Sequence, residues 1–253
     1  MDLASKTALV TGSSKGIGRG IARRLAALGC DVAVHYNSDA EGAAGVVEAI
    51  RSEGRDAFSV QATVGDSAQV RSMFNRVLSR FNRLDILVNN AGTQVWAPLL
   101  DLSEQDWDRV IDTNLKGCFL CTQLAGRHMR DRGGGRIVNI GSGCNKVAFP
   151  NLVSYTASKG GMEQFTKVAA AELGPYGITV NCVAPGAILI ERTAREAEDY
   201  AGQWSKLTPM GRVGYPRDVA EAVAFLCTDG AEFVSGQTLM VDGGIFTRGP
   251  WAY

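Results

Sequence analysis

The chain has 253 residues, 45% of them apolar, and its 26 basic residues are balanced by 26 acidic ones with no block of like charge. That length suits one large α/β domain with a sizeable core, and the charge balance argues against a nucleic-acid or anionic-membrane surface. The start, Met1 to Lys6, has no apolar signal region, no apolar run reaches membrane-spanning length, and the cysteines are scattered, so a cytoplasmic protein with reduced thiols is expected.

Thr7-Ala8-Leu9-Val10 reads as a short buried strand. Thr11-Gly12-Ser13-Ser14-Lys15-Gly16-Ile17-Gly18 follows at once, and Ile21 to Ala26 continues with helical periodicity. A strand, a glycine-rich turn and a helix in that order predict a dinucleotide cradle. Glycines let the backbone approach a pyrophosphate, and helix N–H groups bind it. Asp31 to Tyr36 reads as a second strand, whose end is where an acid would bond the adenosine ribose of NAD. Here the chain has Tyr36-Asn37-Ser38, with no acid until Asp39. A carboxylate at the strand end would repel a 2′-phosphate, whereas Lys15 can pair with one, so NADP(H) is favoured, with NAD(H) the alternative.

A helix is expected over 39–54, a strand over Ala57–Ala62, and a helix over 68–82 with Ser67 as its N-cap. Leu84 to Val88 reads as the fourth strand and ends in Asn89-Asn90-Ala91-Gly92, small and polar residues where an open α/β sheet binds its ligand. Ser103 caps a long helix, Glu104 to Arg130, with Asn114 at mid-length. Asparagine is a poor helix-interior residue, so Asn114 either faces solvent or marks a kink. Cys118 and Cys121 have redox-motif spacing, but an apolar helical setting favours two packed thiols. Arg136 to Ile140 is the fifth strand, with Ser142 just past its end. With only His35 and His128, a histidine-based triad or multi-histidine metal site is unattractive.

A helix over 154–173 follows. Tyr155 and Lys159 are four apart and so share one face of it. An ammonium beside a phenol favours the phenolate, so the tyrosine is expected to have a lowered pKa and to exchange a proton with an alcohol or carbonyl oxygen. Ile178 to Val183 is the sixth strand, ending at Pro185-Gly186. The polar stretch Glu191 to Leu207, within about 188–210, has the look of a substrate lid. Arg217 to Cys227 is a last helix and Thr238 to Val241 a last strand. The aromatic tail, with Phe246, Trp251 and Tyr253, is expected at a subunit contact. The βαβα alternation, without repeats or linkers, predicts one domain over 1–253: a doubly wound parallel sheet with helices on both faces.

Thr-Gly-x-x-x-Gly-x-Gly at 11–18, Asn-Asn-Ala-Gly at 89–92, Asn114, Ser142, Tyr155-x-x-x-Lys159 and Pro185-Gly186 together resemble the short-chain dehydrogenase/reductase family, over nearly the whole chain from Lys6 to Gly244. The resemblance implies a Rossmann-type fold with a seven-stranded parallel sheet, a homotetramer, and a catalytic tetrad of Asn114, Ser142, Tyr155 and Lys159. It implies that Tyr155 acts as acid and base while Ser142 bonds the same oxygen. Lys159 would lower the tyrosine pKa and bond the nicotinamide ribose, and Asn114 would hold a water. No metal is implied. Cofactor contacts fall on Gly12, Ser14, Lys15, Gly16, Ile17, Gly18, Asn37, Ser38, Thr63, Val64, Asn90, Ala91, Gly92, Pro185, Gly186 and Ile188, besides Tyr155 and Lys159.

Two positions depart from the family. Thr63-Val64 stands where Asp-Val is common, and Ile190 stands where a cofactor-bonding threonine is common. The stretches around Ala157 to Met162 and Pro185 to Ile188 look like bacterial glucose 1-dehydrogenases. The glycine loop and Asn114 to Gly117 look as much like 3-oxoacyl-acyl-carrier-protein reductases. Gln94, Trp96, Cys144, Lys146 and Phe149 are expected near the substrate, with Ser142 and Tyr155. Trp96 and Phe149 point to an apolar or ring-shaped small molecule, or else to packing between loops. The activity implied is NAD(P)-dependent transfer of a hydride to a ketone or from a secondary alcohol. A non-catalytic nucleotide-binding regulator and a lyase or epimerase on the same fold are the alternatives.

Overall fold

Seven short strands form where the apolar runs fall: β1 (Thr7–Val10), β2 (Asp31–Tyr36), β3 (Ala57–Gln61), β4 (Ile86–Asn89), β5 (Gly135–Ile140), β6 (Ile178–Pro185) and β7 (Thr238–Val241). The structure, a computed structural model, describes residues 2–247. The strands make a single parallel sheet in the order β3-β2-β1-β4-β5-β6-β7. Between them lie α1 (Gly16–Ala27), α2 (Ala40–Ser52), α3 (Ser67–Phe81), α4 (Glu104–Ile111), α5 (Gly117–Arg130), α6 (Val153–Leu173), α7 (Thr193–Glu196), α8 (Tyr200–Leu207) and α9 (Pro216–Cys227).

Strand side chains alternate between the two faces, and each face has its own helical layer. Ala8 and Val10 of β1 pack with Ile21 and Leu25 of α1, Ile50 of α2 and Val223 of α9. Leu9 packs on the other side with Phe74 of α3, Ala125 of α5 and Ala169 of α6. Every residue of β1, β4 and β6 is buried, because both faces are covered. Each buried Leu, Ile or Val contributes roughly 1.5–3 kcal/mol. The order reverses between β1 and β4, which opens a crevice at the carboxyl ends of these strands.

Three local expectations need correction. The N-cap of α3 is Asp66, not Ser67: its carboxylate accepts the N–H groups of Ala68 and Gln69 at 2.8 and 3.1 Å. β4 begins at Ile86 rather than Leu84, because the Leu84 N–H donates to His128 Nε2, 3.2 Å away. The helix expected over 104–130 is interrupted by a π-helical turn at Asp112–Lys116, and Asn114 within it is fully buried. The solvated alternative for Asn114 is thereby excluded, and the kink is a one-turn widening of the helix.

Candidate active site

The turn after β1 is built from backbone that other residues would strain. Gly12 and Gly16 have φ of 63° and 56°. Gly18 is needed for space: a Cβ there would lie 2.3 Å from the Gly12 oxygen and 2.4 Å from Asn90 Nδ2. Two neighbouring strands pin this turn. Asn90 Nδ2 donates to the carbonyls of Thr11 and Gly12, each at 2.9 Å, and the Thr11 hydroxyl accepts the N–H groups of Asn90 and Ala91. His35, buried on β2, accepts the Gly12 N–H on Nδ1 at 2.8 Å, and its Nε2 lies 3.0 Å from the Ala62 carbonyl. That arrangement needs a neutral ring with the proton on Nε2. Burial pulls the His35 pKa down to about 4. The sequence offered one signal for this role, a histidine inside an otherwise apolar strand.

Side chains cap α2, α3, α4 and α8, whereas no side chain caps α1, whose N-cap is Lys15. The N-cap side chain thus leaves the first-turn N–H groups of α1 open to the crevice, where the Glu191 carboxylate approaches the Gly16 N–H. Lys15 is exposed, with Nζ 3.9 Å from Asp39 Oδ2. The acid missing from Tyr36-Asn37-Ser38 therefore reaches the same wall from one residue further on. It is engaged there in accepting the Gly42 N–H that begins α2. Thr63 bonds Asn37 Oδ1 through its hydroxyl at 3.2 Å, and Val64 is buried.

At the other end of the crevice, α6 brings Tyr155 and Lys159 beside Ser142. Lys159 is buried, donates from Nζ to the Ile140 carbonyl at 2.6 Å, and sits 5.6 Å from the Tyr155 ring centroid. Burial pulls its pKa down to about 8. The expected lowering of the Tyr155 pKa is not what the structure gives. Burial pushes the phenol up, the nearby Cys144 adds to this, and a hydrogen bond with Ser142 opposes it. The ammonium is tied to the end of β5, so desolvation outweighs attraction. Asn114 lies behind this group: Nδ2 donates to the Thr93 carbonyl and Ser158 Oγ, and Oδ1 accepts the Thr93 N–H. Ser158 in turn donates to the Tyr155 carbonyl at 2.7 Å. Asn114 thus ties the β4 loop to α6 beneath Tyr155.

One cavity of about 760 Å³ joins the two ends. Apart from Asn114, all the residues assigned above to catalysis and cofactor line it, as do Gln94, Trp96, Cys144 and Phe149. Lys146 does not: its ammonium pairs with the Glu163 carboxylate at 2.9 Å, turned away by that charge. Burial pushes the Cys144 thiol up, away from reactivity. Cys118 and Cys121 are buried free thiols, as packed side chains would be. Ile190 packs over Gly16, and the Thr193 hydroxyl is engaged with the Ile188 carbonyl and the Ile190 N–H.

The segment over 191–207 is more regular than its polarity suggested. α7, its N-cap residue and α8 place Arg192 (that N-cap), Glu196, Tyr200 and Trp204 on the cavity wall. Arg19 pairs with Glu191, and Gln94 donates to Glu196 at 3.1 Å. Phe246 also lines the cavity, 6.3 Å from Phe149 between ring centroids, so this tail aromatic packs within its own chain. Trp251 and Tyr253 lie outside the described residues. The spacing of Tyr200 and Trp204 at i and i+4 was the available signal for this wall.

A family model described as enoyl-(acyl carrier protein) reductase matches residues 12–246. The 3-oxoacyl-[acyl-carrier-protein] reductase of Staphylococcus aureus is 45% identical over 242 residues, covering 96% of this chain and 98% of that protein. Among solved structures, an angucycline C-6 ketoreductase with bound NADP is 38% identical, with a TM-score of 0.92 and 98% of each chain covered. A gluconate 5-dehydrogenase from Burkholderia cenocepacia, in complex with NADP and tartrate, is 37% identical, also with a TM-score of 0.92 and 98% of each chain covered.

Proposed function

The chain belongs to the short-chain dehydrogenase/reductase family, and on that premise we propose that Tyr155, Ser142, Lys159 and Asn114 serve an NADP-preferring reduction of a ketone or oxidation of a secondary alcohol. The observation that carries the reading is that Tyr155 and Ser142 share a single cavity with the glycine turn. The turn fits a dinucleotide: Gly18 leaves no room for a Cβ, and the uncapped start of α1 can meet a pyrophosphate. When bound, the nicotinamide gives or takes the hydride.

The chain's own groups handle the proton. Tyr155 gives its hydroxyl proton to the carbonyl oxygen as it gains charge, or takes one from an alcohol. Its raised pKa keeps the phenol protonated at neutral pH, the form needed for reduction. Ser142 donates to the same oxygen and stabilises the developing charge. Lys159, with its pKa near 8, holds an ammonium beside the phenol at neutral pH and loses it as the pH rises through that value. Asn114 acts from behind, holding α6 in register with the β4 loop and lending its widened helical turn to a water path.

NADP is favoured because Lys15 is exposed at the adenosine end, although its ammonium lies 3.9 Å from Asp39 Oδ2; relatives with bound NADP support the same choice. A 3-oxoacyl-type ketone is the first substrate class to try. Sugar-like alcohols are the second, since a gluconate 5-dehydrogenase is among the similar solved structures. A single domain over 1–253, a lid over 188–210 and a cytoplasmic homotetramer complete the reading. Exposed Trp107, Phe119 and Val168 on α4, α5 and α6 support association, and no described helix is long and apolar enough to cross a membrane. The test is titration with NADPH and NADH, followed by tryptophan quenching, then turnover read at the nicotinamide absorbance. Tighter NADPH binding with ketone reduction is expected. Equal or tighter NADH binding would refute the role of Lys15, and sedimentation as a monomer would refute the tetramer.

A further inference from the structure

Four aromatic side chains from three separate segments converge on one side of the cavity. Phe149 comes from the loop after β5, Tyr200 and Trp204 from α8, and Phe246 from the turn after β7. The Phe149 and Trp204 rings lie 6.4 Å apart and within 29° of parallel. Phe246 meets Phe149 edge-on at 72°, and Tyr200 leans on Trp204 with centroids 6.0 Å apart. None of the four is fully buried, so each keeps ring surface toward the cavity. The group also reaches the reacting end. Phe246 rests against Gly143, next to Ser142, where a Cβ would lie 1.9 Å from its ring.

A wall of this kind gains little from an extended polar ligand and much from a flat apolar one. Ring faces attract rings in offset or edge-on contact, and covering them removes apolar surface from water. The ionic groups nearby are engaged with one another: Arg192 Nε lies 3.4 Å from Glu196 Oε1, which also accepts from Gln94. They offer a polyol few unclaimed partners. We propose that this wall is an aromatic clamp that selects flat, ring-bearing ketones and their alcohols over open-chain 3-oxo substrates. The proposal rests on the oxidoreductase reading and deepens it. In the clamp the ring carbonyl carbon takes the hydride and its oxygen takes the Tyr155 proton, so one C–H and one O–H bond replace the C=O π bond while NADPH is oxidised to NADP+.

The test compares kcat/KM of the wild-type protein with NADPH for 2-tetralone, a fused-ring ketone, and for ethyl acetoacetate, an open-chain 3-oxo ester. A preference of about tenfold or more for the ring ketone is expected; equal values, or preference for the open chain, would overturn the clamp. Trp204→Leu and Phe149→Leu are expected to lower that ratio about fivefold or more, chiefly through KM on 2-tetralone. An unchanged ratio in variants that melt like the wild type would also overturn it; a variant that does not fold leaves the wild-type ratio to decide. If neither ketone is reduced, it is the oxidoreductase reading that fails, and the clamp is read by binding alone. Quenching of tryptophan emission by 2-tetralone then supports it, and no quenching overturns it.

Discussion

The two ends of the cavity are built in different ways. The glycine-turn end comes from consecutive βα units, and its shape is fixed by backbone: Gly18 against the Gly12 carbonyl, Asn90 on the Thr11 and Gly12 carbonyls, His35 on the Gly12 N–H. The aromatic end is assembled from the β5 loop, α8 and the turn after β7, and its shape is fixed by side chains. The ion pairs that hold its outer segment, Arg19–Glu191 and Arg192–Glu196, are exposed and contribute little each. A scaffold that fixes one end by backbone and the other by side chains can hold its cofactor geometry while its substrate changes, since loop side chains are replaced without moving the sheet.

The sharpest probe of the contrast is the residue where the two ends meet. Tyr155→Phe is expected to lower kcat by about 10²–10⁴-fold while leaving NADPH affinity within about twofold, because the phenol oxygen serves the proton and not the cradle. Steady-state kinetics beside a cofactor titration checks this; retained turnover would sink the assignment of the acid.

Acid should act on the fold through the pin at the backbone-built end. The His35 pKa falls from 6.5 in the unfolded chain to about 4 in the fold, so between these values the unfolded chain binds more protons. Its contribution is complete above pH 6.5 and is lost as pH drops toward 4, on the order of 3 kcal/mol in all. Melting temperature is expected to fall across that window while NADPH affinity of the folded protein holds until pH nears 4, where the folded ring itself gains a proton, and His35→Gln should flatten the stability slope. A flat pH profile in the wild type would mean that the ring accepts a second proton in place.

Gly18→Ala is expected to cost about 1–3 kcal/mol by overpacking and to weaken cofactor binding in the same step, since its Cβ meets backbone that cannot move aside. Thermal melts of this variant beside Trp204→Leu compare the ends directly. Equal losses of stability would erase the distinction between them. The smallest expected effect is at Cys144: with its pKa raised by burial, iodoacetamide at pH 7 is expected to slow turnover far less than it consumes a free thiol in solution. Rapid inactivation would show a reactive thiol in the cavity.

The sequence by itself determined the strands, most of the helices and the cavity lining at the glycine-turn end. Strand runs and glycine spacings are local features, and a strand's carboxyl end beside a chain reversal is a site wherever an open α/β sheet forms. That is why Gly12 through Gly18, Asn90 to Gly92 and Pro185 to Ile188 could be placed from their motifs. Only the tertiary structure decided what depends on contacts between distant segments. It buried Asn114 in a π turn, made His35 a neutral pin for the glycine turn, and tied Lys159 to the Ile140 carbonyl so that desolvation governs Tyr155. It also paired Lys146 with Glu163 and brought Phe149, Trp204 and Phe246 together across nearly a hundred residues of chain. No local pattern encodes such meetings, because they follow from how layers pack and which polar groups lose their water.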